Sequence, residues 1–404
     1  MTAHAGALEG VRVIDFCWVG AGSFATKILA DHGADVVKIE SSAKVDGLRL
    51  SPPFAGRLPG VNRSGYFADR NSSKRSMALN LKSEDGRRLA LELIRDADVV
   101  ANNFTPGVME RFGLGPEVAL GINPRIVYLS MSMQGSGGPH RHHIGYGSTM
   151  AAIAGLHDLT GESSRDPIGT GTNYPDHIPN PTHAAIAVLA AVRHSRRSGH
   201  GQAIDIAQVE PMVSALGAAI LQSSLSGRPQ HRRGNHHPTA APHNVYRCAG
   251  EDRWIAIATM TDDHWSHLVV ELGLRPPVAW ASATERKAAE AELDGLVADA
   301  VARRDAVQLA RALNARGVPA GVVSTAADLV DDPQLIAREH WQHLEHPEMG
   351  RTTYASPPFQ LSATPGRLSR PAPLLGEHTI EAAEQFLGIG SDEAAELVRC
   401  GVLR

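Results

Sequence analysis

The first 130 or so residues predict an α/β domain on a mostly parallel, doubly wound sheet. Short β-branched runs recur at 11–16 (V-R-V-I-D-F), 35–40 (D-V-V-K-I-E), 76–81 (S-M-A-L-N-L), 98–104 (D-V-V-A-N-N-F) and 126–132 (I-V-Y-L-S-M-S). Helical patterns fill most of the gaps between them. Strand–helix alternation of this kind gives parallel strands covered on both faces, and near-continuous apolar runs are what such strands need. Composition adds a third observation: with 404 residues, 43% hydrophobic and 20% charged, the chain can bury a large core and divides into two domains.

Each element has a local reason. The helix expected near 83–96 opens on Ser83 followed by Glu84 and Asp85, acids in the first turn where the helix dipole favours them. In a sheet of this class ligands sit at the carboxyl ends of the strands. V-G-A-G (19–22), the N-N-F-T-P-G loop (102–107) and a loop around residue 176 would converge there. Farther on, Asn180 can cap and Pro181 can open a long apolar helix. At 225–245 the sequence turns rich in Gly, Pro and His and loses its periodicity, as a linker or active-site loop does. The organisation read from these shifts is a large domain over 1–224, a smaller α/β domain with its linkers over 225–330, and a C-terminal segment, 331–404. The smaller domain holds a strand at W-I-A-I-A and several Ala-rich helices. There is no evident internal repeat.

Several function classes drop out. The net charge is −4 with both signs interspersed, so there is no nucleic-acid footprint. Cys17, Cys248 and Cys400 lie far apart without C-x-x-C spacing, which argues against a zinc site or a disulfide framework and fits a reducing cytoplasm. No segment offers about 18 uninterrupted apolar residues, and the N-terminus has no basic region followed by an apolar run, so no membrane association is expected. Neither G-x-G-x-x-G nor G-x-x-x-x-G-K-[ST] occurs, leaving nicotinamide and P-loop readings unsupported. A dehydrogenase is permitted by the parallel sheet alone. The clusters H-R-H-H (140–143) and N-H-H-P (235–238) lack helix-spaced ligands with a carboxylate and read as loop histidines, so no metal is expected.

The segment G-T-N-Y-P-D-H-I-P-N-P-T-H (171–183) sets one acidic residue, Asp176, in a Gly- and Pro-rich loop just ahead of the long helix. Neighbouring backbone N–H groups can keep such a carboxylate ionised and aimed, as a nucleophile requires. Taken alone, the segment fits better an Asp that satisfies its own turn. The glycines of V-G-A-G either let the backbone approach a ligand or simply make a tight strand-to-helix turn. Lys74 and Arg75 either supply cations for an anionic ligand or are solvated surface charge.

The ordered set of L-E-G-V-R-V-I-D-F-C-W-V-G-A-G (8–22), N-S-S-K-R-S (71–76), N-N-F-T-P-G-V-M-E-R-F-G (102–113), T-N-Y-P-D-H-I-P-N-P (172–181), G-V-P-A-G-V-V-S-T (317–325), D-D-P-Q-L (331–335) and R-P-A-P-L-L-G-E-H-T (370–379) resembles the class III CoA-transferase family. The resemblance covers nearly the whole chain and is most similar to the benzylsuccinate branch. It implies that Asp176 is the catalytic carboxylate, and that coenzyme A or its acyl ester is a substrate, with no permanently bound cofactor. It implies cofactor-binding positions at Val19, Gly20, Ala21, Lys74, Arg75, Asn103, Phe104, Arg111 and Tyr146. Relatives often carry Arg after the K-I-E strand, where this chain has Ser41 and Ser42; Lys44 or Arg49 stands ready to compensate. Loop 234–240 stands where some relatives carry a mobile glycine run, with Gly234 its only glycine. The resemblance also implies that the C-terminal segment returns to the large domain and that two chains interlock as a homodimer, or pair with a paralogous subunit. A racemase of the same fold is the alternative activity. Racemases place a His near the position of Tyr146, and here His142 and His143 are shifted from it.

Overall fold

Six short strands, β1 (Arg12–Asp15), β2 (Asp35–Glu40), β3 (Arg75–Ala78), β4 (Val99–Asn102), β5 (Val127–Ser130) and β6 (Gln202–Asp205), form one sheet in the order β3-β2-β1-β4-β5-β6. Every pairing is parallel, with Val13 opposite Val36 on one side and Val99 on the other. In this computed structural model, which describes residues 6–404, the chain divides into two units. The first unit comprises the chain up to Leu156, Thr170–Leu225 and Gln334–Arg404.

Both faces of the sheet are covered, as the apolar strands demand. One face carries Ile14, Val37, Met77 and Val100 against the helix Glu84–Arg95 and against Ala382, Ala383 and Phe386 of the helix Thr379–Leu387. The other carries Val13, Val36, Val99 and Val127 against Ala25 and Leu29 of the helix Ala21–Asp31 and Ala184, Val188 and Val192 of the helix Pro179–Ser198. Ser83 caps Glu84–Arg95 through a hydrogen bond from the Gly86 amide. The C-terminal segment also holds an antiparallel hairpin, Trp341–His346 with Gly350–Ala355, before it reaches the sheet.

The second unit, His157–Gly169 with Ser226–Pro333, is a three-stranded antiparallel sheet, β7 (His243–Arg247), β8 (Trp254–Ala258) and β9 (Ala320–Val322), packed with helices around Ile255, Trp265, Leu293 and Leu309. The stretch His157–Gly169 belongs to this unit, a detour that composition did not signal. Loop 234–240 belongs to it as well.

Two local expectations change. The long helix begins at Pro179, so Asn180 and Pro181 lie in its first turn and the residue at the cap position is Ile178. Pro179 fixes its own φ and needs no amide partner, which starts the helix earlier than a capping Asn would. Asp176 therefore lies in a one-turn helix, Tyr174–His177, and not in open loop. No helix among the described residues is long and apolar enough to cross a membrane.

Candidate active site

The strand order reverses direction between β1 and β4, and the crevice outside their carboxyl ends is where this kind of sheet accepts ligands. Both loops meet there. The Asn103 side chain accepts from the Trp18 amide at 2.9 Å and donates to the Trp18 carbonyl at 2.6 Å, and Phe104 meets the Trp18 ring edge-on at 5.7 Å. Asn103 and Phe104 thus fix the turn that follows β1.

That turn is unusual. Val19 has φ of 59°, a left-handed conformation rare for a β-branched residue. Its amide donates to Asp46 Oδ1 at 3.0 Å, and Asp46 is in turn paired with Lys38 at 3.0 Å, both fully buried. The turn ends at Gly20, and a Cβ on Gly20 would lie 2.8 Å from the Asp176 Cβ and 3.0 Å from its Oδ2. Gly147 is equally close: a Cβ there would lie 2.7 Å from Asp176 Oδ2. Backbone must pass directly over the carboxylate at both positions, which only glycine permits.

Asp176 is 6% exposed. Burial raises its pKa to about 6, against the opposing pull of the Arg70 guanidinium and a hydrogen bond from the Gly147 amide. Next to it, burial and then Arg70 lower the pKa of His177 to about 4, so this imidazole is neutral near pH 7. Its Nδ1 lies 3.2 Å from Thr172 Oγ1, and its buried Nε2 has no partner among the described residues. Tyr146 precedes Gly147 at the cap position of the helix Gly147–Ile153 and is 71% exposed. The carboxylate is a desolvated anion flanked by backbone on two sides, able to attack an electrophilic carbonyl.

The structure thus places Val19, Gly20 and Ala21 at the turn beside Asp176, Asn103 and Phe104 against Trp18 of that turn, and Tyr146 next to Gly147. Arg111 is exposed at the end of the turn Val108–Arg111, with no ion pair among the described residues. The expectation that Lys74 and Arg75 offer their charges to a phosphate meets a different arrangement. Lys74 is fully buried, and its ammonium donates to Asp15 (3.0 Å), the Ser23 carbonyl (2.8 Å) and Asn71 (2.9 Å), which uses all three donors. Arg75 is 5% exposed and is held by Asp35, Glu381 and Gln385. It lines a separate cavity with Asp31, Arg367 and Arg370. Arg49 is also interior, forked onto Glu40. Lys44, by contrast, is exposed and lies 5.4 Å from the Trp18 ring. His142 and His143 are exposed, engaged with Arg141 and His140. No group of three or more metal-ligating side chains forms among the described residues.

Three participants escaped the sequence reading: Arg70, Tyr66 and His177. Arg70 sits on the helix Gly65–Asn71, over the rings of Phe24 (4.6 Å) and Tyr66 (5.3 Å), and Tyr66 meets His177 edge-on at 6.4 Å. Nothing in the sequence marks Arg70, because its partners come from its own helix, from the helix that holds Phe24 and from the turn that holds Asp176 and His177. Gly147 had a signal, the second glycine of I-G-Y-G.

Comparison with known proteins places this geometry. The sequence pattern of CoA-transferase family III matches residues 8–379. The chain is 33% identical over 394 residues to succinyl-CoA–D-citramalate CoA-transferase of Chloroflexus aurantiacus, covering 96% of each chain. It is 35% identical over 395 residues to succinyl-CoA:mesaconate CoA-transferase of Haloarcula hispanica, covering 96% of this chain and 98% of the relative. The β subunit of a Chloroflexus aurantiacus succinyl-CoA–L-malate CoA-transferase is 31% identical, with 96% of each covered. Among solved structures, a CAIB/BAIF family protein from Brucella suis superposes with a TM-score of 0.86 at 30% identity, covering 95% of this chain and 100% of that one. A parallel sheet of Rossmann order, a buried aspartate under two glycines and an end-to-end match at this identity have one reading: the chain is a CoA-transferase and belongs to CoA-transferase family III.

Proposed function

We propose that this enzyme moves coenzyme A from an acyl-CoA donor to a free carboxylic acid, with Asp176 as the nucleophile. The observation that carries this reading is the Asp176 carboxylate, desolvated and pressed between the Gly20 and Gly147 backbones. One Asp176 oxygen attacks the donor thioester carbonyl and CoA thiolate leaves, giving a mixed aspartyl anhydride. The thiolate then attacks the aspartyl carbonyl, the anhydride C–O bond breaks, and the donor acid departs as its carboxylate. The enzyme is left as an aspartyl-CoA thioester. The acceptor carboxylate attacks that thioester, and the same steps in reverse release the acceptor acyl-CoA and free Asp176. One thioester replaces another, so the exchange needs no ATP.

Each attack builds an oxyanion, which fixed backbone dipoles stabilise best where water is excluded. The Gly147 amide already points at the carboxylate in the resting state. Exposed Tyr146 is assigned to the thioester arm. The CoA phosphates fall to the exposed cations Arg111 and Lys44 in place of Lys74 and Arg75, whose donors are occupied. The relatives named above use succinyl-CoA, which supports it as the donor and a short dicarboxylic acid as the acceptor. A homodimer of interlocked chains is the proposed assembly.

Purified enzyme incubated with succinyl-CoA and a panel of free acids, read by mass spectrometry, tests the reading. Transfer should occur, hydroxylamine should trap Asp176, and Asp176→Ala should lose at least ~10³ in turnover while still binding CoA. Near-normal turnover by Asp176→Ala sinks the mechanism. Run in deuterium oxide, the assay should leave the α-position of a 2-methylacyl-CoA unlabelled; rapid α-exchange would mark a racemase.

A further inference from the structure

Arg70 is nineteen-twentieths buried, yet its guanidinium is only partly used. It lies across the rings of Phe24 and Tyr66, and Nη1 pairs with Asp69, a side chain that is 46% exposed. The buried Nε has no partner among the described residues. The group lies within electrostatic reach of both Asp176 and His177, and Tyr66 bridges it to His177. A guanidinium remains protonated throughout and presents a fork that matches a carboxylate.

The charge in this pocket changes during the cycle derived above, on which the inference rests. In the resting enzyme the Arg70 guanidinium lies within electrostatic reach of the Asp176 anion. Once Asp176 has become a thioester its negative charge is gone, while Arg70 keeps its own and His177 is neutral. A desolvated cation left with only the half-exposed Asp69 as counter-charge is under-compensated, and a carboxylate is the ligand that restores the balance. We propose that Arg70 is the residue that receives the substrate carboxylate: it offsets the charge of Asp176 in the free enzyme and holds the acceptor acid against the aspartyl carbonyl in the thioester state. Holding the attacking carboxylate on a cation lowers its nucleophilicity somewhat, but orientation at the reacting carbon outweighs that loss. By microscopic reversibility the same residue accepts the departing donor acid, so both acids share one recognition group and no proton moves.

Arg70→Met and Arg70→Lys test this with succinyl-CoA and whichever acid the wild type accepts. In Arg70→Met the KM for the acceptor acid should rise at least ~30-fold, and inhibition by added succinate should weaken in parallel. The KM for succinyl-CoA should stay within about threefold. Arg70→Lys should recover part of the acid affinity, because it restores the charge without the fork. An acceptor KM unchanged in Arg70→Met overturns the proposal, as does an equal rise in both KM values, which would indicate a structural role. If Arg70→Met fails to fold by circular dichroism, Arg70→Lys decides: an acceptor KM equal to wild type overturns the proposal and a selective rise supports it. A wild type that moves no CoA to any acid refutes the proposed function itself, a result distinct from active wild type with an unmoved Arg70→Met.

Discussion

Asp176 is a buried acid whose proposed role as nucleophile requires its charge, and the cost is visible in its titration. Its folded pKa of about 6 lies above the ordinary value of 3.8 that it regains on unfolding. Between those values the native state binds more protons than the unfolded chain, so stability falls as pH rises through that window. Above it the loss is complete, on the order of 2–3 kcal/mol for a shift of this size. Asp176→Asn should therefore raise unfolding free energy by about 1–3 kcal/mol at pH 7.5. The gain should vanish at pH 3.5, below both values. Urea titrations at the two pH values check this, and no gain at pH 7.5 would mean that the carboxylate is not strained by its surroundings. On the proposed mechanism the same group sets activity. With acyl-CoA below saturation, kcat/KM should decline as pH drops through about 6, because the protonated acid cannot attack.

At the scale of elements, the turn after β1 depends on an ion network that alternates in sign. Lys74 meets Asp15 at 3.0 Å, Lys38 meets Asp46 at 3.0 Å, and Asp46 holds the left-handed Val19. Burial works against charge on Asp15, but Lys74 and then Lys38 outweigh it and lower its pKa. Removing one member of such a set strands its partner. Lys74→Met should cost about 3–5 kcal/mol of stability, measured by chemical denaturation, while the folded variant keeps its KM for CoA esters within about twofold. A selective rise in that KM with stability intact would return Lys74 to the phosphates. This network explains why part of the site was illegible in the sequence. K-R-S at a strand start looks like surface charge, and the carboxylate that claims Lys74 lies 59 residues away. Four of the five expected strands were legible because Val and Ile runs record burial on both faces, and the third, S-M-A-L-N-L, through its alternating Met and Leu. By contrast β6, Q-A-I-D, is mostly exposed and carries no such record. The glycines of V-G-A-G were visible, but their reason, an aspartate 2.8 Å from the missing Cβ of Gly20, needed the fold.

Across the whole molecule, apolar side chains remain uncovered in the first unit. Ile186 is 66% exposed on the long helix, and Leu221 and Leu225 are 63% and 86% exposed on the helix Gly217–Ser226. Large apolar side chains this exposed are candidates for burial by association. Sedimentation at micromolar concentration should give twice the chain mass, and Leu221→Asp with Leu225→Asp should shift the distribution toward monomer. An active wild-type monomer would show that a second copy is not what covers these residues.

One face of the parallel sheet is closed by residues far along the chain. The Ala78 amide donates to Thr379 and the Asn80 amide to the Val402 carbonyl, while Phe386 and Leu403 fill the core beside Ile14 and Met77. Closing such a span costs only slightly more entropy than closing a shorter one, so the arrangement is affordable at equilibrium. Its consequence is kinetic. During synthesis the edge strand β3 and the apolar face beside it wait, covered only by the helix Glu84–Arg95, while some 300 further residues are translated, including the whole second unit. For that interval the nascent sheet is an aggregation hazard, which gives molecular chaperones a defined segment to shield.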